Sequence, residues 1–207
     1  MFFRKGLCVA LFFLCVVPTG CLSLGPQPDP SRFYVLATLP RTEATAKNTD
    51  GLALGIGPVR LPGYLDRQQL VTRVSQNRFA VAESDRWAEP LEENFSRVLA
   101  QNLAILLNTD GIVAYPWERN RQPTYQVQVE VLRFEPNAEQ RVELWARWRL
   151  SDGAKKTSSM KESYLTRPMK NSSTEAAVAA LSEVVGDLSK EIAATIGVSI
   201  SGQERRG

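Results

Sequence analysis

Residues 125–150 read YQVQVEVLRFEPNAEQRVELWARWRL, two alternating apolar runs joined by a polar turn. In the first run Tyr125, Val127, Val129 and Val131 stand against Gln126, Gln128 and Glu130, and a period of two marks a strand with one buried face. Leu132 and Phe134 then shift phase, which predicts a bulge near Val131. Across the turn Glu135 to Gln140, the run Arg141 to Leu150 is the antiparallel partner. Val142, Leu144, Ala146, Trp148 and Leu150 face inward, while Glu143, Trp145, Arg147 and Arg149 face out. A third strand, Met160 to Arg167, follows the polar turn Ser151 to Ser159, so this block is a meander.

Working outward, each end of the meander meets a helical pattern. Upstream, Leu91, Phe95, Val98, Leu99, Asn102, Leu103 and Leu106 recur at three- and four-residue spacing from a start near Glu89 and Pro90. Glu92 and Glu93 occupy the first turn, where carboxylates suit the helix dipole, and Asn108 to Gly111 stop the helix. Downstream, Ser173 or Thr174 caps a second helix that carries Ala177, Leu181, Val184, Val185, Leu188, Ile192 and Ile196 on one face. Before the first helix lie strand signals at Arg32 to Leu39 and Leu52 to Arg60, and a hairpin of Gln69 to Ser75 with Arg78 to Ala82 about Gln76-Asn77. Ile112 to Tyr115 is a further short strand. Two runs of strands, each closed by a helix, predict a single α+β domain: an antiparallel or mixed sheet with both amphipathic helices packed on one face.

The chain has 207 residues, 43% hydrophobic and 23% charged, with no histidine and three cysteines. That composition is globular. Without histidine there is no imidazole base, switch or metal ligand. Cys8, Cys15 and Cys21 all fall in the first 21 residues, so the remainder has no thiol for zinc, for a disulfide or for catalysis. Arg4 and Lys5 precede a charge-free run from Gly6 to Val17, too short to span a bilayer and fit for a secretory signal. Pro18-Thr19-Gly20-Cys21 resembles a bacterial lipobox, which makes Cys21 an acylated first residue and residues 1–20 a signal peptide. Leu22, where inner-membrane lipoproteins usually have aspartate, favours the outer membrane. Residues 21–31, with Pro26, Pro28 and Pro30, read as a lipidated tether, 32–198 as the domain, and 199–207 as a flexible tail. Without Arg4 and Lys5 the chain has 23 basic residues against 22 acidic ones, which offers no basic field for nucleic acid.

Motifs for chemistry are sparse. Gly55-Ile56-Gly57 lacks the third glycine of a dinucleotide loop, where Arg60 stands, and Pro58 and Pro62 forbid the helix that would hold a phosphate. Asp85, Glu89, Glu92 and Glu93 read as a solvated helix start. Asn94 and Asn171 match the glycosylation pattern only by accident. No nucleophile, metal site or cofactor is expected beyond the covalent lipid on Cys21. The feature that stands out is Gly57 to Arg67 (GPVRLPGYLDR), dense in glycine and proline yet carrying Leu61, Tyr64 and Leu65. Such a stretch is either a strand edge whose apolar residues tuck under the sheet, or a protruding loop that offers Leu61, Tyr64, Leu65 and Arg67 to a partner.

The same stretch carries a family resemblance. Arg32 to Leu36, Gly57-Pro58-Val59 with Leu61 to Arg67 and Gln69 to Val71, and Trp87-Ala88-Glu89-Pro90-Leu91 are together similar to the PqiC type of ABC-transport auxiliary lipoprotein. The resemblance implies a non-enzymatic lipoprotein of the Gram-negative envelope, held in the outer membrane and facing the periplasm. It further implies a periplasmic MCE-domain partner and, through it, an inner-membrane transporter that moves lipids between the membranes and supports envelope integrity; homo-oligomers are compatible with it. The alternative is an anchored periplasmic lipid carrier with an apolar cavity between sheet and helices.

Overall fold

A computed structural model of the protein describes residues 29–43, 52–117, 123–152 and 157–204. The signal segment, Cys21 and most of the expected tether lie outside them. Eight strands and two long helices follow in the order β1 Arg32–Tyr34, β2 Leu54–Arg60, β3 Gln69–Ser75, β4 Arg78–Trp87, α1 Leu91–Leu107, β5 Ile112–Ala114, β6 Tyr125–Pro136, β7 Arg141–Asp152, β8 Thr157–Pro168 and α2 Thr174–Glu204. The class is α+β, as the pattern of elements predicts.

The strands form two mixed sheets rather than one: β1-β4-β3, and β5-β2-β6-β7-β8. The meander is the backbone of the larger sheet. Its register pairs Val127 with Leu150, Val129 with Trp148 and Val131 with Ala146, and it slips between Val131 and Arg133. That slip is the expected bulge, and it returns Phe134 to the core at 1% exposure. β2 joins this sheet and not the first run of strands. It lies between β5 and β6, parallel to both, because α1 carries the chain back over the sheet and delivers β5 beside β2.

The helices cover one face of the larger sheet, α1 over β2 and β5, α2 over β7 and β8, and they touch each other. Every residue of the α1 stripe is buried, and the Phe95 ring meets Phe134 edge-on at 5.2 Å. A buried leucine or phenylalanine contributes about 1.5–3 kcal/mol relative to an exposed one, so this face carries most of the stabilisation. α1 ends where Asn108 turns left-handed (φ 47°) and its N–H reaches back to Ala104 and Ile105. Ser173 caps α2, its Oγ accepting from the Ala176 N–H, which leaves the Thr174 hydroxyl for another task. α2 runs on through Gly197 to Glu204, into the stretch read as a tail. One glycine costs about 1 kcal/mol against alanine, too little to stop a helix among Ile196, Val198 and Ile200.

The first strand is shorter than its sequence. After Tyr34 the chain leaves the sheet and crosses the helix pair as a strap. Leu36, Ala37 and Leu39 donate their N–H groups to Asn94 Oδ1, Ser182 Oγ and Asn102 Oδ1 at 3.2, 3.0 and 2.8 Å. The acceptors are buried side chains of α1 and α2, so the strap's backbone is satisfied without a strand partner. Leu39 lies over Gly186, where an added Cβ would sit 2.8 Å from its Cδ2.

Candidate docking site

The stretch 57–67 divides at Arg60. Its first part is strand: Gly57, Pro58 and Val59 form a bulge within β2, marked by a register slip against β6 between Ile56 and Val59. Gly57 takes φ +118°, and a Cβ there would sit 2.7 Å from Tyr115 Cβ, so only glycine fits. Proline is tolerated in this internal strand because the bulge leaves its missing N–H unneeded. Gln126 Nε2 donates to the Gly57 carbonyl at 2.8 Å.

Only Leu61 to Gln68 leaves the sheet, as a tight turn with one 3-10 turn at Gly63–Leu65. Both tendencies read from the sequence are present within it. Leu65 is buried, Leu61 and Tyr64 are half-buried against the core, and Gly63, Asp66, Arg67 and Gln68 are exposed. The Leu61 N–H donates to Glu92 Oε2 at 3.1 Å, pinning the turn to the first turn of α1. Arg67 Nε donates to the Tyr64 carbonyl at 3.1 Å.

Tyr64 is fixed at both ends. Its ring stacks on Phe79 of β4 at 4.6 Å and 20°, and its hydroxyl donates to Glu135 Oε2 at 2.7 Å. Glu135, at 2% exposure, also accepts from Arg73 Nε at 2.7 Å and from the Phe134 N–H at 2.9 Å. The Arg73 guanidinium lies 4.4 Å from the Phe79 ring centre. Burial first, and then the bond to Glu135, push the Tyr64 phenol well above its ordinary pKa. Glu135, Arg73 and Phe79 thus complete the site without having been read from the sequence. The available signal was the phase shift at the β6 bulge, which turns Glu135 toward the small sheet.

A second buried carboxylate sits in the small sheet itself. Asp85 is at the end of β4 and not among the acids at the start of α1; it is 7% exposed. It accepts from Arg32 Nε at 2.6 Å and from the Thr174 hydroxyl. Burial raises its pKa, but the bonds from Thr174 and Arg32 outweigh burial and hold the carboxyl below its ordinary value. Trp145, outward on β7, and Trp117, in the loop after β5, are both engaged. Trp145 Nε1 donates to Glu162 Oε1 at 2.7 Å, and Trp117 meets Tyr115 edge-on at 5.3 Å.

The polar groups of this site are engaged with one another. A Ser-x-x-Lys spacing does occur, Ser158 to Lys161, but odd spacing on a strand puts the two side chains on opposite faces. Lys161 Nζ is bound to Thr195 Oγ1 at 2.9 Å. Among the described residues no three His, Cys, Asp or Glu side chains group to hold a metal, and no helix is long and apolar enough to cross a membrane. A cavity of about 270 Å³ opens between the two sheets and the start of α2. Thr72, Asn137, Gln140, Ser172 and Thr174 are among its lining residues. It lies outside the helix-sheet core and below the ~300–1,000 Å³ usual for small-molecule sites.

The family model for the ABC-type transport auxiliary lipoprotein component matches residues 34–193, from the end of β1 to Ala193 within α2. The chain belongs to this family. This family is not a known enzyme class. Among curated proteins no sequence matches it. Among the solved structures that share its fold are two whose own chains it covers almost entirely. One, described as an uncharacterized protein, has 20% identity, covers 80% of this chain and 98% of its own, and superposes with a TM-score of 0.66. The other, a Xanthomonas campestris protein of the DUF330 family model, has 16% identity, covers 84% and 99%, and gives 0.63.

Proposed function

We propose that this auxiliary lipoprotein is acylated at Cys21, sits in the outer membrane of a Gram-negative envelope, and docks a periplasmic MCE-domain protein. Through that partner it serves an inner-membrane transporter that moves lipids between the membranes. It performs no reaction of its own. The observation that carries this reading is a family match over residues 34–193 behind a lipobox-like Pro18 to Cys21. Several acyl chains at about 0.8 kcal/mol per buried methylene hold a protein stably where one would be marginal. The proposed contact surface is the turn after β2. Arg67 is its exposed charge, Tyr64 and Leu61 form its half-buried rim, and Leu65 supports it from within.

Docking is favoured over lipid carriage because the space between helices and sheet is filled by side chains such as Phe95, Phe134 and Leu188, each at 1% exposure or less. Co-purification of the MCE partner with an Arg67→Glu variant tests the surface. Loss of the partner with unchanged thermal unfolding supports it, and undiminished recovery overturns it. Arg67 is the right probe because Tyr64 also holds the fold together.

A further inference from the structure

The outer face of the small sheet leaves apolar side chains uncovered. Register sets Phe33 beside Arg86, and Arg86 beside Gln69, in one row across β1, β4 and β3. On the other face of β1, Arg32 and Tyr34 bond Asp85 and Glu175. Phe33 is 62% exposed and Val35, two residues on and on the same side of the chain, is 49% exposed. Neither is a loose end. The next residue, Leu36, is buried at 3%, and the strap that follows is fastened to Asn94, Ser182 and Asn102. Beside Phe33, Arg86 is half-buried with its Nε lacking a hydrogen-bond partner.

Position along the chain separates this row from other exposed apolar residues. Val81 of β4, Tyr115 just after β5, Met160 and Tyr164 of β8 and Val198 of α2 all lie far along the sequence from the anchor. Phe33 follows Cys21 by twelve residues, which at ~3.3–3.6 Å each cannot place it more than about 40 Å from the lipid. A tether that short makes any encounter with the membrane intramolecular, at an effective concentration on the order of millimolar. Two apolar side chains beside an arginine then suffice for a populated contact, and that pairing suits the headgroup boundary of a bilayer.

We propose that Phe33 and Val35, flanked by Arg86, rest on the lipid surface that holds the Cys21 anchor, fixing the small sheet toward the membrane. The proposal rests on acylation at Cys21. The mature chain has no other cysteine, so Phe33→Cys and Val35→Cys each introduce a single thiol for an environment-sensitive fluorophore. Asn77→Cys, at the tip of the β3–β4 hairpin, and Tyr164→Cys are the controls. The full lipidated protein is reconstituted into phosphatidylethanolamine–phosphatidylglycerol vesicles. The expected result is a blue shift at 33 and 35, with most of that emission lost to lipids carrying a quencher on their acyl chains, and no change at 77 or 164. Co-flotation with the vesicles while labels at 33 and 35 stay in water overturns the contact and leaves the anchor intact. A shift at 33 and 35 only on adding the MCE partner overturns it in favour of a protein interface. Failure of every variant to float, with an unmodified Cys21 by mass, overturns the anchor and the contact with it.

Discussion

The Tyr64 hydroxyl donates to Glu135 Oε2 at 2.7 Å while Arg73 donates to Oε1 of the same carboxylate at 2.7 Å. One buried acid from the bulged end of β6 therefore fastens both the turn after β2 and the middle of β3. The joint between the two sheets is polar. Breaking either bond would leave a buried carboxylate oxygen short of a donor, so the turn is held in place by the cost of releasing it.

Tyr64→Phe keeps the ring on Phe79 and removes one of the bonds to Glu135. Hydrogen bonds to charged groups contribute about 1.5–3 kcal/mol, so the unfolding free energy should fall by that much, read as a lower urea midpoint with an unchanged slope. The variant should also lose less stability in alkali. The native phenol is raised, so its contribution is complete below the unfolded tyrosine value, near ~10, and fades as pH climbs above that. An alkaline limb identical in the two proteins would show that folding does not raise the Tyr64 phenol.

Asp85 sets part of the acid limb. Its folded pKa is depressed, so its contribution is present above the unfolded value, near ~3.9, and is lost as pH falls through the lower folded one. Asp85→Asn should therefore flatten stability against pH below about 4. A slope there equal to wild type would contradict the role assigned to Arg32 and Thr174.

Gly57→Ala forces a side chain into a left-handed bulge and against Tyr115. Strain of this kind costs on the order of 1–3 kcal/mol, so a clear drop in melting temperature is expected. Gly63, where an added Cβ meets nothing within 4 Å, is the control, and Gly63→Ala should be nearly silent.

Asn102→Ala removes the acceptor for the Leu39 N–H and the donor to Ser189 Oγ. Global stability should fall by about 1–3 kcal/mol. Hydrogen exchange separates a strap from a general loss. The amides of Leu36 and Leu39 should lose far more protection than those of β6 and β7.

Both helices and the meander were legible in the residues because each buries one face, and burial imposes a period of 3.6 or 2 that survives in a single sequence. The β6 bulge was legible for the same reason, as a break in that period at Val131. The place of β2 was not, since parallel pairing through α1 depends on where the helix sets the chain down. The strap was missed because Arg32 to Leu39 has strand composition. What ends the strand at Tyr34 is a set of acceptors on Asn94, Asn102 and Ser182, distant in sequence.

The candidate site divides in the same way. Sequence by itself determined the α+β class, the absence of imidazole and thiol chemistry from the domain, the cysteine expected to carry the lipid, and the unusual composition of 57–67. Those follow from residue type and short-range spacing. Only the tertiary structure decided that Leu65 is core, that Tyr64 is held by Glu135, and that Arg67 is left outside. It also decided that Phe33 and Val35 face outward. A side chain's exposure depends on what the rest of the chain brings over it, and for these residues the covering or bonding groups come from β3, β4, β6 and the helices.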